Sequence, residues 1–179
     1  LSSAHVKALD AEDLNAMSST LLTNLTTAFL SAMSSSQVAG LKSSTLGSLN
    51  STGIVALTTS LVRAISTVEI AGLTSTQVGA LSTAQLTALT TDQLTKLGSD
   101  EALGLKSTQL SALSSESLQA LNTAAFAALS TVALRGLSST QFGALTTEQL
   151  VALSTSQAAS LVTAQVSGLT SAQVDTLQS

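Results

Sequence analysis

The sequence predicts an all-α solenoid in which each eight-residue unit forms one short helix of about one and a half turns. Three observations lead to this prediction: a strict eight-residue period of large apolar residues, a helix-capping pattern inside each unit, and an ordering of charges along the unit. A β-solenoid with corners inside each unit is the alternative. In either case residues 1–179 are a single repeat array, not a globular domain with a central core.

Every eighth residue from Leu1 to Leu177 is Leu, Met or Ile. Counting from this residue gives 22 complete octads and a partial unit, which we interpret as a piece of a longer array. Most octads follow the pattern Leu, Ser/Thr, Ser/Thr, x, Gln, Leu/Val, x, Ala/Gly, as in residues 145–152 (LTTEQLVA). Position six is Leu, Val, Ile or Phe except at Ala102 and Ala158. Positions one and six therefore predict the buried edge of each unit.

The period excludes the two simplest regular structures. One continuous helix would spread the apolar residues over every face, because eight residues advance by roughly 800° at about 100° each. A plain strand would place positions one and six on opposite faces. One short helix per octad avoids both problems. Because such a helix is far below the roughly 12 to 15 residues needed for marginal stability in water, it must be stabilised by packing on its neighbours.

The polar positions of the octad support the helix independently. Position two is Ser or Thr in most units and Asp10, Asn50 or Asn122 in others, and these side chains cap helix N-termini. Position five is commonly Gln, which completes the capping box Ser/Thr-x-x-Gln. Such glutamines include Gln77, Gln85, Gln93, Gln141, Gln149 and Gln165. We expect a cap at position two, a helix from position three to about eight, and a bend near the next position one. The Ser/Thr and Gln ladders are expected outside or at the seams between units.

Charged residues and glycines are also ordered along the octad, from the predicted start of the helix to its end. Acids occupy positions two, four or five, where the helix N-terminus favours them: Asp10, Glu12, Asp13, Glu69, Asp92, Asp100, Glu101, Glu116 and Glu148. Lys7, Arg63, Lys96 and Arg135 lie at positions seven and eight, whereas Asp175, Lys42 and Lys106 break the rule. Glycine at positions seven or eight indicates a helix end or a close contact. Two glycines, Gly53 and Gly98, lie at other positions. The glycines at positions seven or eight are Gly40, Gly47, Gly72, Gly79, Gly104, Gly136, Gly143 and Gly168.

Candidate reactive groups are few. The acids Asp10, Glu12 and Asp13 resemble a calcium site, but all three occupy cap and first-turn positions, which favours a helix start. His5 is the single histidine and occupies position five, so we interpret it as an exposed substitute for Gln. Dozens of equivalent Ser and Thr provide no distinguishable nucleophile. We therefore predict no catalytic residue, no metal site, no cofactor and no enzymatic activity.

Apolar residues at unusual positions leave two interpretations open. Leu21, Phe29 and Leu61 replace the polar residue at position five. They are either additional core or an exposed apolar strip for lateral contact. Phe126 and Phe142 occupy position six and are predicted to be core.

Composition excludes several further classes of protein. Without Cys there is no disulfide framework or thiolate metal site. The apolar residues are dispersed among Ser and Thr, so no run approaches the roughly 18 residues of a membrane span. The chain has six Lys plus Arg against ten Asp plus Glu, a net charge of −4. That leaves little with which to neutralise phosphate, so no nucleic acid is expected as a partner.

The chain resembles two known groups of repeat sequences. The segments LTTEQLVAL (145–153) and LTTDQLTKL (89–97) resemble the helix start of the TAL effector repeats. That resemblance covers the capping box alone, and the base-reading loop and basic residues of that family have no counterpart. The neutral, Ser/Thr/Gln-rich repetition of the whole chain resembles the repetitive regions of large bacterial secreted or surface proteins, which implies an extracellular or cell-surface location.

The function expected from these features is structural. We predict a stalk, spacer or filament subunit of an adhesin-like bacterial surface protein or extracellular fibre that self-associates into fibres. End-to-end contact is expected because terminal units leave positions one and six uncovered. The first alternative is a peptide- or glycan-binding solenoid, with specificity at positions four and seven. The second is an ice- or surface-binding array, indicated by the regular Thr residues and the low charge.

Overall fold

The computed structural model describes residues 3–177, and these form 22 short α-helices and no strand. The all-α prediction is therefore confirmed. The first eleven helices are α1 (Ser3–Val6), α2 (Ala11–Asn15), α3 (Ser19–Thr23), α4 (Thr27–Ser31), α5 (Ser35–Ala39), α6 (Ser43–Gly47), α7 (Ser51–Ala56), α8 (Thr59–Ala64), α9 (Thr67–Ile70), α10 (Ser75–Ala80) and α11 (Thr83–Thr87). The remaining eleven are α12 (Thr91–Leu94), α13 (Ser99–Ala102), α14 (Ser107–Ala112), α15 (Ser115–Ala120), α16 (Thr123–Ala128), α17 (Thr131–Leu134), α18 (Ser139–Gly143), α19 (Thr147–Val151), α20 (Thr155–Ala159), α21 (Thr163–Val166) and α22 (Ser171–Leu177).

Each helix starts at position three because position two stops the chain from being helical earlier. At α10, Thr74 is extended (φ −81°, ψ 157°) and its hydroxyl accepts a hydrogen bond from the backbone N–H of Gln77 at 3.2 Å. Gln77 Oε1 accepts the backbone N–H of Thr74 at 2.9 Å in return. The capping box predicted from the octad is thus formed, and it satisfies two N–H groups that have no partner inside the helix.

The helices end at a bend near the next position one. Leu81, which follows α10, is extended (φ −52°, ψ 132°). Within residues 3–177 no residue, glycine included, has a positive φ. The glycines at positions seven and eight are therefore not left-handed C-caps. The other expectation, a close contact, accounts for all of them except Gly47, where an added Cβ would meet nothing within 4 Å.

Three helices make one turn of the superhelix, because helices pack on the third helix further along the chain, as α7 packs on α10 and α13 on α16. The helices thus form three columns along the array. The first column contains α1, α4, α7, α10, α13, α16, α19 and α22; the second contains α2, α5, α8, α11, α14, α17 and α20; the third contains α3, α6, α9, α12, α15, α18 and α21. Hydrogen bonds between turns join residues 25 to 31 apart, the separations expected when three octads make a turn and the bonds join different octad positions.

The interior is filled by the two apolar ladders. Position one is buried from Met33 to Leu145, and position six is buried from Val6 to Leu150. Phe29, Phe126 and Phe142 are the largest of the fully buried side chains. A residual space of about 10 Å³ among Leu14, Leu22 and Leu30 is too small for a ligand. No helix in the described part of the chain is long and apolar enough to cross a membrane.

Candidate functional site

The seam between successive turns is held by the glutamines of position five. Gln77 Nε2 donates to the carbonyl oxygens of Leu46 and Leu49, each at 2.8 Å. These carbonyls lie at position six and position one of the preceding turn, where the earlier helix ends and has no intrahelical partner for them. A glutamine at position five donates to the preceding turn at ten positions, which we call the seam glutamines: Gln37, Gln77, Gln85, Gln93, Gln109, Gln141, Gln149, Gln157, Gln165 and Gln173. At Gln157 and Gln173 the carbonyl of position seven takes the place of that of position six.

Each seam glutamine is buried and uses both ends of its amide. The oxygen accepts the N–H of position two in its own octad, and the nitrogen donates to the preceding turn. At Gln109 and Gln165, where position two is Lys106 or Val162, the half of the box made by the glutamine remains. Among the described residues no buried side-chain nitrogen or oxygen lacks a hydrogen-bond partner. The glutamines therefore lie in the seams, and the alternative expectation, that they line the outside, was wrong.

In two octads whose position five cannot donate, an asparagine at position two replaces the seam glutamine. Asn122 Oδ1 accepts the backbone N–H of Ala125 at 2.8 Å, which caps α16. Its Nδ2 donates to the carbonyls of Thr95 (3.1 Å) and Leu97 (2.7 Å), the positions seven and one that a seam glutamine at residue 125 would reach. The asparagine thus performs the capping and the inter-turn bond alone.

The second asparagine at position two follows the same rule. Asn50 accepts from the N–H of Gly53 at 2.8 Å and donates to the carbonyl of Thr23 at 2.9 Å. In both octads position five is small, either Gly53 or Ala125. The sequence analysis recognised these asparagines as caps only. Their pairing with a small position five is the signal that could have revealed the second role.

Glycine occurs where the backbones of two turns touch. A Cβ added to Gly104 would overlap the carbonyl oxygen of Ser75, and one added to Gly79 would lie 2.7 Å from the carbonyl oxygen of Gly104. Gly143 and Gly168 repeat this pair eight octads later, and a Cβ on Gly168 would overlap the carbonyl oxygen of Ser139. These glycines are needed for close approach and not for backbone conformation.

The two ends of the described array expose different positions, which reveals the direction of stacking. Position five is exposed in the first three octads at His5, Asp13 and Leu21, whereas position six is exposed in the last three. Position five therefore faces the preceding turn, and position six faces the following one. Position one is half-buried in octads near both ends because both neighbouring turns cover it.

The acids considered as a calcium site form a helix start instead. Asp13 donates its backbone N–H to Asp10 Oδ1 at 2.9 Å, and Asp10 donates its own to Asp13 Oδ2 at 3.1 Å. This is a capping box built from two aspartates. In residues 3–177 no group of three His, Cys, Asp or Glu side chains is placed to hold a metal ion. His5 is exposed at position five of the first octad.

The apolar residues at position five divide between the two interpretations. Phe29 and Leu61 are buried and extend the core, whereas Leu21 is 43% exposed. Leu21 lies in the third octad, which has no preceding turn in the described array to cover its position five. Phe126 and Phe142 are fully buried, as predicted from position six.

The outer surface has hydroxyl-lined hollows between turns. A hollow of about 470 Å³ between turns is lined by Ser75, Thr76, Gly79 and Leu103, among others.

The pKa of Glu148 lies below its ordinary value, chiefly because its carboxylate accepts a hydrogen bond from its own backbone N–H and also from the hydroxyl of Thr146. Such a bond stabilises the ionised carboxylate at a helix N-terminus.

The octads can now be compared with known repeats. Residues 62–99 and 118–155 match the ALTTAQ repeat family. The matched segments contain the seam glutamines Gln77 and Gln149 and the capping asparagine Asn122, so the ALTTAQ repeat here is a cap and an inter-turn bond in one unit. The two segments make up less than half of the chain, and the octad continues without interruption between and beyond them. No curated protein matches the chain.

Proposed function

We propose that this chain is a non-enzymatic structural array: a stalk, spacer or filament subunit of a bacterial surface or extracellular fibre. The observation that carries the proposal is the seam. Successive turns are joined by the same two apolar ladders, together with glutamine bonds or, at Asn50 and Asn122, asparagine bonds, so further octads add length without needing a new kind of contact.

The surface supports the same proposal. Only 9% of the residues are charged, and surface charge is what usually prevents proteins from associating. Any end of such an array would leave one turn with uncovered apolar residues at positions one and six. A head-to-tail contact between such ends does not close on itself and propagates as a fibre.

A peptide- or glycan-binding module is the second candidate. The hollow beside Gly79 and Leu103 presents the hydroxyls of Ser75 and Thr76, which are suitable partners for a sugar hydroxyl. The filled interior favours such surface hollows over a central groove as the place for a ligand.

Electron microscopy and light scattering of the purified protein across a concentration series test the leading proposal. We expect elongated particles whose length grows in proportion to the number of octads in variants lengthened by whole turns, and fibres at high concentration. A compact, strictly monomeric species at high concentration would contradict it and favour the binding module.

A further inference from the structure

One column of helices carries a regular stripe of exposed apolar side chains. Val55, Leu103 and Val151 occupy position seven in the octads of α7, α13 and α19, and they are 51, 61 and 60% exposed. Each lies six octads, or two turns of the first column, after the last. Exposed large aliphatic side chains that recur on one face mark a candidate contact surface.

Small residues occupy the turns between them. Gly79 and Ala127 are at position seven in the octads of α10 and α16, and Ser31 is at position seven in the octad of α4. The hollow of about 470 Å³ lies at Gly79, directly beside the projecting Leu103. Along this column, projecting and recessed positions therefore alternate from one turn to the next.

The other two columns lack this alternation. At position seven the second column has Asn15, Ala39, Arg63, Thr87, Ser111, Arg135 and Ala159, and the third has Thr23, Gly47, Ala71, Thr95, Gln119, Gly143 and Ser167. None of these is a large aliphatic residue. The stripe is therefore confined to one of the three faces of the superhelix.

Opposite charges lie at the two ends of the stripe. Lys7 is at position seven in the octad of α1, and Asp175 is at position seven in α22; both are exposed. Position seven of the first column therefore reads Lys, Ser, Val, Gly, Leu, Ala, Val, Asp from one end to the other. When two such stripes are aligned antiparallel, every large residue of one lies opposite a small residue of the other, and the lysine lies opposite the aspartate.

We propose that this stripe is the interface of an antiparallel dimer of two copies of the chain. A two-fold axis between the turns of Gly79 and Leu103 places Leu103 of one copy in the hollow at Gly79 of the other. The same operation places Val55 opposite Ala127 and Lys7 opposite Asp175. Such an isologous contact uses each pair twice and closes on itself.

Neighbouring positions agree with the antiparallel arrangement. The acids at position four of this column, Asp100 and Glu148, come to lie opposite Thr76 and Ala28 of the second copy, so these two acids meet no like charge. A parallel dimer in register would instead place Leu103 against itself and Lys7 against Lys7. Charge and shape therefore select the same direction.

The inference deepens the self-association in the proposed function and rests on it only in requiring a second copy. The dimer is lateral and closed, whereas the proposed fibre grows from end to end. The two can therefore fail separately: fibres without this lateral contact would overturn the dimer alone, and lateral dimers that never lengthen would overturn the fibre alone.

Introduced cysteines test the register, since the chain has no Cys of its own. We expect Val55→Cys mixed with Ala127→Cys to give a disulfide-linked heterodimer on mild oxidation, because those residues face each other. Val55→Cys alone should not form a disulfide-linked dimer. Preferential Val55→Cys homodimers, or no cross-link between the two variants, would overturn the proposal.

Sedimentation equilibrium tests the energetics of the same face. Leu103→Lys should weaken dimerisation by about tenfold or more, because it replaces an apolar side chain with a cation at a hollow that Lys106 already lines. The matched control, Ser111→Lys at position seven of the second column, should leave dimerisation unchanged. Lys7→Asp and Asp175→Lys should each weaken the dimer and the double variant should restore it. Equal effects of Leu103→Lys and Ser111→Lys would contradict this face, and no recovery in the double variant would contradict this register.

Discussion

Nε2 of Gln77 lies 2.8 Å from the carbonyl oxygen of Leu49, a residue of the preceding turn of the superhelix. The oxygen of the same amide accepts the N–H of Thr74, which begins its own helix. A neutral amide can donate and accept at once, whereas an ionised glutamate can only accept. This dual requirement explains why position five favours glutamine over other helix-capping residues.

The first prediction separates these two roles by replacing Gln77 with Glu. The carboxylate keeps the bond from Thr74 but faces the carbonyls of Leu46 and Leu49 without a proton to donate. We expect a loss of at least about 2 kcal/mol in the free energy of unfolding at pH 7. The loss should shrink at acid pH, because the protonated carboxyl can donate, and we expect burial beside two carbonyls to raise the pKa of the introduced glutamate. Urea denaturation at pH 7 and pH 4 measures both effects.

Gln119 is the matched control for that substitution. It is exposed, and its Nε2 donates to the carbonyl of Ala144 at 2.6 Å. Gln119→Glu should cost less than about 1 kcal/mol, since solvent can satisfy both groups. An equal loss at the two sites would show that burial of the seam is not responsible for the effect.

The second prediction concerns the exchange between asparagine and glutamine. Asn122→Ser keeps a cap for α16 but loses the donor to Thr95 and Leu97, so we expect a loss of about 1 to 3 kcal/mol. Adding Ala125→Gln should recover most of it by creating a seam glutamine. Thermal unfolding of the wild type, the two single variants and the double variant gives the coupling energy. A coupling energy near zero would mean that the two positions do not substitute for each other.

Two glycines make a matched pair for the third prediction. Gly104→Ala should destabilise the array by several kcal/mol or force neighbouring turns apart, because the new Cβ overlaps the carbonyl of Ser75. Gly47→Ala meets nothing within 4 Å and lies inside α6, so it should stabilise by up to about 1 kcal/mol. Calorimetry should therefore give shifts of opposite sign. Shifts of the same sign would rule out close approach as the reason for Gly104.

The fourth prediction tests the ladders along the array. Leu89→Ala should cost about 2 to 5 kcal/mol, because Leu89 is buried between two turns. Leu161→Ala should cost less, since Leu161 is only partly buried and nearer the end of the described array. Thr87→Ala at an exposed position seven should cost little. Denaturant midpoints that do not follow this order would contradict the assignment of position one to the core.

The sequence predicted what happens inside one octad. Ser82, Thr90 and Thr146 cap their helices as the pattern indicated, and the ladders of positions one and six are buried. These features depend on residues three to five apart, and a single strict repeat defines such spacings well.

What the sequence did not predict depends on the angle between octads. That angle is fixed by the bend at position one, and nearly identical units give no sign of which octads become neighbours. The stacking of every third helix, the carbonyls bound by Gln77 and the contact of Gly104 with Ser75 all follow from it. The exposure of Leu21 beside the burial of Phe29 was likewise not predictable, because both occupy the same position of the octad.

The seam also determines how the array would respond to force. Each seam glutamine ties together two points 28 to 31 residues apart along the chain, as Gln149 does with Leu118 and Leu121. Successive ties such as those of Gln77, Gln85 and Gln93 overlap and are offset by one octad, so breaking one would free about eight residues, on the order of 25 Å of extended chain. Because the ties are similar and follow one another along the chain, a molecule stretched from its ends would lengthen in many small steps at comparable forces. It would therefore absorb mechanical energy gradually.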